Sequence, residues 1–199
     1  GTLGLWKFYH RWNADGDSEG AEKEHEDPLF YGRLSGGVGM QLTLFTAKCI
    51  GKRANCSYPN KVVVTTPEEL QSAIRTDHVC ASYQDNYRGI DNFISSDCLV
   101  MDIDNDHSER PENWLTDEKI TEIFEDVDFA LATSRHHMIA KEGKMARPKY
   151  HIYFPIAECG DAQVYGVMKT ALQKKYSFFD DNALDAARFL FGAESTEVV

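Results

Sequence analysis

No apolar run in this 199-residue chain approaches the roughly 18 residues that a membrane-spanning helix needs. The N-terminus also lacks the basic, apolar and small-residue regions of a secretory leader. A cytoplasmic protein with no membrane partner is therefore expected. The cysteines are too few and too scattered for a disulfide framework: five of them (Cys49, Cys56, Cys80, Cys98, Cys159), an odd number, with no Cys-x-x-Cys pair. Reduced structural thiols are expected, with a zinc site on Cys49 and Cys56 as the alternative. No internal repeat is visible. Basic residues are in deficit, 21 against 32 acids for a net charge of −11, which at face value argues against a nucleic-acid partner.

The deficit is uneven. From Asp97 to Asp128 there are twelve acids and two bases, Arg110 and Lys119. From Thr133 to His151 there are five bases (Arg135, Lys141, Lys144, Arg147, Lys149), three histidines and one acid, Glu142. An acidic cluster beside a basic ribbon suits a site that holds metal ions and polyphosphate together. The alternative is a solvated hairpin.

The chain is 42% hydrophobic and 12% aromatic, enough for one substantial core. Its elements alternate as in a mixed α/β protein. Trp6 to Trp12 is aromatic, and Asn13 to Asp27, with seven acids and one lysine, predicts a loop or edge. Strands are predicted over 41–50, 61–65, 99–103, 129–133 and 149–156. Thr66-Pro67-Glu68-Glu69 predicts a helix to Arg75, with Thr66 as N-cap, Pro67 at the first helical position and Glu69 closing a capping box. A second Thr cap precedes Ile120, Ile123 and Phe124 at helical spacing. A third helix, 161–175, is expected to bury Val164, Val167, Met168 and Leu172.

Three constellations carry chemistry. In Cys98-Leu-Val-Met-Asp-Ile-Asp-Asn-Asp106, an apolar strand delivers Asp102 and Asp104 two residues apart, hence on one face. Two such carboxylates can clamp a hard divalent cation beside a phosphate; the alternative is an acidic loop after a strand. In Arg147-Pro-Lys-Tyr-His-Ile-Tyr-Phe-Pro155, Lys149, His151 and Tyr153 share one strand face, where lysine and imidazole can hold a phosphate chain. In Phe179-Asp-Asp-Asn-Ala-Leu-Asp-Ala-Ala-Arg-Phe-Leu-Phe-Gly192, Asp185 and Arg188 stand among apolar neighbours, either as site residues or as a helix-capping ion pair. An EF-hand is excluded because His107 replaces the required Gly and Asn113 the final Glu of the loop. The His-hydrophobic-His signature of replication-initiator endonucleases is missing as well.

Together the three blocks resemble the archaeo-eukaryotic primase (primase-polymerase) superfamily, closest to its phage, plasmid and mobile-element branch. The resemblance covers about 86 to 192. Asp102 and Asp104 match the family's Asp-x-Asp motif, His151 the histidine of its second motif, and Asp185 its apolar-Asp motif, with Arg188 and Gly192 trailing. Lys149 stands where the family has serine, which leaves open whether Ser134, Arg135 or Lys149 takes that role. Asp180 and Asp181 compete with Asp185. The three-residue step to Arg188 favours Asp185.

The resemblance implies an α/β (α+β) fold: an RRM-like catalytic core over 91–199 and an additional N-terminal α/β subdomain over 1–90. It implies a template-directed nucleotidyltransferase, a DNA primase/polymerase adding nucleotides to a 3′-hydroxyl with two Mg²⁺ or Mn²⁺ ions. Asp102, Asp104 and Asp185 would be the catalytic metal ligands. His151, Lys149, Arg188, Ser134, Arg135 and Arg88 would bind the nucleotide, although Asn86-Tyr87-Arg88 also reads as a plain surface turn. Lys141, Lys144 and Arg147 would bind nucleic acid. Expected partners are a DNA template and primer, dNTP or NTP, and a helicase or accessory domain in a longer protein. The alternative function is a two-metal nuclease or phosphohydrolase acting on nucleic acid.

Overall fold

A computed structural model describes residues 40–199 apart from Glu142 and Ala183. The aromatic and acidic N-terminal stretches noted above lie outside the described residues. The fold is α+β, built on two four-stranded sheets whose strand pairs are all antiparallel. The first has the order β2-β1-β3-β8, with β1 at Leu42–Thr46, β2 at Asn60–Val64, β3 at His78–Val79 and β8 at Phe189–Leu190. The second has the order β4-β5-β7-β6, with β4 at Ser82–Tyr83, β5 at Phe93–Ile103, β6 at Ala130–Thr133 and β7 at Tyr150–Cys159. β4 belongs with β5, and β8 with β3, so each sheet takes a strand from across residue 90.

Strand alternation decides what each face meets. On β5 and β7, Leu99, Met101, Ile103, Tyr150, Ile152 and Phe154 pack against the helices α2 (Asp117–Ile123) and α3 (Ala162–Lys175). The opposite face, with Cys98, Val100 and Tyr153, joins Leu42, Leu44 and Val64 of the first sheet and Leu70, Ala73 and Ile74 of α1 (Pro67–Ile74) in a second core. The long β5–β7 ladder thus lies between two apolar layers. Asp102 and His151 are partners in its register, on the face turned toward the first sheet.

The capping box of α1 is complete: Thr66 Oγ1 accepts from Glu69 N, and the Glu69 carboxylate accepts from Thr66 N. α3 differs from expectation. Its buried stripe is Tyr165, Met168, Lys169 and Leu172, while Val164 and Val167 are exposed. Tyr165, Met168 and Leu172 form a better i, i+3, i+7 row, and the tyrosine ring covers more apolar area than a valine. Its hydroxyl donates to Cys98 O at 2.8 Å. Among the described residues, no helix is long and apolar enough to cross a membrane.

Candidate active site

Asp102 lies next to last in β5, where the ladder brings it opposite His151 and, through β7, level with Ala132 of β6. The strand ends at Ile103 and the chain turns through Asn105, which holds a left-handed φ of 53° that asparagine tolerates. The buried Asn105 amide donates to Leu115 O and Pro148 O and accepts from Leu115 N, at 2.8–3.0 Å. That fixed turn leaves Asp104 just beyond the strand, its side chain 39% exposed.

The carboxylates are met by cations. Arg188 Nη2 donates to Asp102 Oδ2 at 2.5 Å, and Lys149 Nζ lies 3.2 Å from Asp104 Oδ1. His151 Nε2 approaches Asp102 Oδ1 to 3.2 Å without hydrogen-bond geometry, so Oδ1 is a buried acceptor with no partner. Arg188 Nε is likewise a buried donor with no partner. Burial pushes the Asp102 carboxyl above the usual carboxylate range, against the pull of the Arg188 and Lys169 charges, and the charge of Asp180 adds to the rise. Burial and the Arg188 charge push His151 down to about 3. His151 is therefore neutral at pH 7 and can offer a hydrogen bond, while charge comes from Lys149, Arg188 and Arg135. Lys169, buried on α3, is pushed down to about 8 by burial, with Asp102 opposing the shift.

Under this pair lies a second polar row. His78 Nδ1 is 3.0 Å from Thr76 O and must be its protonated nitrogen, so His78 Nε2 accepts from the Tyr153 hydroxyl at 2.9 Å. Burial holds His78 at about 4, which keeps that neutral tautomer.

Asp102, Asp104, Lys149, His151, Arg188, Ser134 and Arg135 line one open cleft of about 210 Å³, with His136 and Phe189 to Phe191. Ser134 is held at its back, its N–H donating to Lys149 O and its Oγ accepting from His136 N. The Arg135 guanidinium stacks on Phe191, 3.7 Å from the ring centroid. A neighbouring acidic cleft shares Asp104 and is lined by Asp106, Asp180 and Asp181 among others.

Other expected site residues stand elsewhere. Asp185 is exposed and lines neither cleft; its carboxylate accepts from Ala187 N at 2.7 Å and shapes the turn into Arg188. Asp180 instead comes against β5, its N–H donating to Asp102 O at 3.0 Å. It follows Phe179, so it too has the apolar-Asp form. Arg88 lies outside the cleft, over the Phe189 ring and donating to Ala187 O. Lys144 at the exposed hairpin lies 3.5 Å from Asp106. Arg147 requires a correction. It is 1% exposed, donates to Asn105 O, Asp106 and Glu109, and lies over Trp114, so it has no surface to offer a nucleic acid. The proline after it and the acid turn it braces explain that burial better than the basic ribbon does.

Gly192 is obligatory, because a Cβ there would overlap the backbone of Arg75 and Thr76. Its N–H donates to the buried Asp77, which also accepts from Gly51 N and Lys52 N. Asp77, Asn105, Lys169 and Phe191 carried no pattern by which the sequence alone would single them out.

No family model matches this chain, and no curated protein matches it in sequence. Among solved structures, the chain is similar to the AEP domain of the primase-polymerase of cyanophage S-2L, at a TM-score of 0.43 and 11% identity over 81% of each chain. At that level of likeness, the residues themselves have to carry the functional reading.

Proposed function

We propose that the protein is a template-directed nucleotidyltransferase of the primase-polymerase kind, which transfers the nucleoside monophosphate unit of a dNTP or NTP to the 3′-hydroxyl of a primer and releases pyrophosphate. The observation that carries this reading is a complementary pair of orphans: Asp102 Oδ1 is a buried acceptor and Arg188 Nε a buried donor, each without a partner. A ligand satisfying both would present a cation or donor to Asp102 and an acceptor to Arg188, as a metal-bound polyphosphate does. Among the described residues, no three His, Cys, Asp or Glu side chains converge as a metal cage. Asp102 and Asp104 nonetheless fit Mg²⁺ or Mn²⁺, since Mg²⁺ is commonly held by one or two carboxylates with substrate phosphates completing the shell. Asp180, which approaches β5, is the better third carboxylate than Asp185.

When bound, the two metal ions would lower the pKa of the primer hydroxyl and neutralise charge on the departing pyrophosphate. The chain's own residues do the rest. Asp102 and Asp104 orient the reacting end. Lys149, Arg188 and Arg135 oppose the phosphate charge, and neutral His151 contributes a hydrogen bond, so catalysis is by position and electrostatics. The substrates would be a DNA template and primer, in a cytoplasmic setting, with a helicase or accessory module supplied by a longer protein. Titrating a nucleoside triphosphate with and without Mn²⁺ tests the reading. Metal-dependent binding that is lost in Asp102→Asn is expected. A protein that ignores triphosphate but cleaves DNA with Mn²⁺ would be a nuclease.

A further inference from the structure

From Gln41 to Thr66 the chain has no acid and four bases, Lys48, Lys52, Arg53 and Lys61, in a protein of net charge −11. Three of these bases fall within six residues of the loop between β1 and β2, and all three are exposed. Among the described residues, no ion pair neutralises Lys48, Lys52 or Arg53. An uncompensated run of that kind stands out against the acidic remainder.

The loop is also fixed more firmly than a connector requires. Asp77, fully buried, accepts from Gly51 N at 2.7 Å and Lys52 N at 2.8 Å, and its own N–H donates to Cys49 O at 3.0 Å. Gly51 holds a left-handed φ of 71°. The same Asp77 carboxylate accepts from Gly192 N at 2.9 Å, so one buried acid ties this loop to the end of the segment that carries Arg188 and Phe191. A Cβ at Gly51 would lie 3.7 Å from the Arg135 guanidinium on the wall of the catalytic cleft. The basic loop is thus anchored at the edge of the cleft.

We infer that Lys48, Lys52 and Arg53 form a track for the phosphodiester backbone of a single-stranded template, held beside the cleft by Asp77. The inference rests on the polymerase reading above, because a template must run past the nucleotide it selects. It adds a surface outside the β6–β7 basic ribbon. The charges sit on a rigid loop, so little ordering entropy is lost when a strand binds. Contacts of this type position the strand without reading its sequence.

The test is a salt titration of oligonucleotide binding, which needs no turnover. The variant is Lys48→Gln/Lys52→Gln/Arg53→Gln, compared with the unaltered protein on a single-stranded oligonucleotide, and its fold is verified by thermal melting. The slope of log affinity against log salt should flatten by about 2, at roughly 0.7 for each phosphate of a single strand that the variant no longer neutralises. The two proteins should then converge near 1 M salt and differ roughly 100-fold in affinity near 0.1 M. Mn²⁺-triphosphate affinity without DNA should be unchanged. An unchanged slope overturns the inference, as does a loop-dependent preference for blunt duplex over single strand. If the loop-dependent slope is found in a protein that adds no nucleotide, the track stands and the polymerase reading falls. If nucleotide is added and the slope is unaffected by the variant, only the track falls.

Discussion

Replacing Arg188 by Met tests how tightly the site is balanced. Its guanidinium meets Asp102 Oδ2 at 2.5 Å, and the Asp102 side chain is 9% exposed against 30% for Arg188. A hydrogen bond to a charged group contributes about 1.5–3 kcal/mol, and a buried carboxylate stripped of its partner loses at least that. The Lys169 charge retains part of the compensation, so a loss of about 2 kcal/mol is expected. For a domain of this size, that is roughly 4–8 °C in Tm. The sign with pH follows from the raised pKa of Asp102. A carboxyl whose folded pKa lies above its unfolded value costs stability that is absent below the unfolded pKa and grows as pH rises through the folded pKa. Removing Arg188 raises that pKa further. The gap between variant and parent should therefore open with rising pH and narrow toward pH 4. The assay is urea unfolding in EDTA at pH 5 and pH 8, with Asp102→Asn/Arg188→Met as the rescue. A gap of equal size at both pH values, or no rescue, would refute the coupling.

His151→Ala should weaken triphosphate binding by about 1.5–3 kcal/mol, and by the same amount at pH 6 and pH 8, since an imidazole held at about 3 is neutral at both. Calorimetric titration at the two pH values checks this; a loss confined to the lower pH would mean a charged histidine. Asp180→Asn should abolish nucleotide addition while Asp185→Asn reduces it only through a looser turn, and the opposite ranking in a single-turnover assay would return the third carboxylate to Asp185. Arg147→Met should lower stability to unfolding by about 1.5–3 kcal/mol, the cost of a lost charge-assisted bond to the buried Asn105 O, since Asp106 and Glu109 stay solvated without it, while the salt slope of DNA binding stays as it was. Stable protein with weakened DNA binding would reverse that assignment.

The parts of the fold that could be read in the sequence are those with local causes. Thr66 to Glu69 carry both halves of a capping box within four residues, and the alternation along Tyr150 to Phe154 separates the β7 face of Tyr150, Ile152 and Phe154 from the face of His151 and Tyr153. Both features appear where the residues put them. β3, β4 and β8 have two residues each, too short for any periodicity, and exist because distant segments pair with them: Val79 with Phe189 and Ser82 with Ser95. A boundary drawn at residue 90 could not anticipate strands exchanged across it.

The site divides in the same way. Asp102, Asp104, Lys149 and His151 were legible because one hairpin-like ladder brings them together. A third acid has no such local cause: the spacing to Arg188 favours Asp185, while the backbone bond from Asp180 to Asp102, between residues 78 positions apart, favours Asp180. Arg147 misled because charge counting treats every base as exposed, whereas a guanidinium with four acceptors and an indole face can be buried.

The central claim is most directly tested by incubating the protein with a primed template, Mn²⁺ and labelled dNTPs, alongside Asp102→Asn and Asp104→Asn. Extension by the unaltered protein, lost in both variants while their melting curves remain cooperative, is the predicted result. Extension that survives either substitution, or a primer that is shortened rather than lengthened, would contradict it.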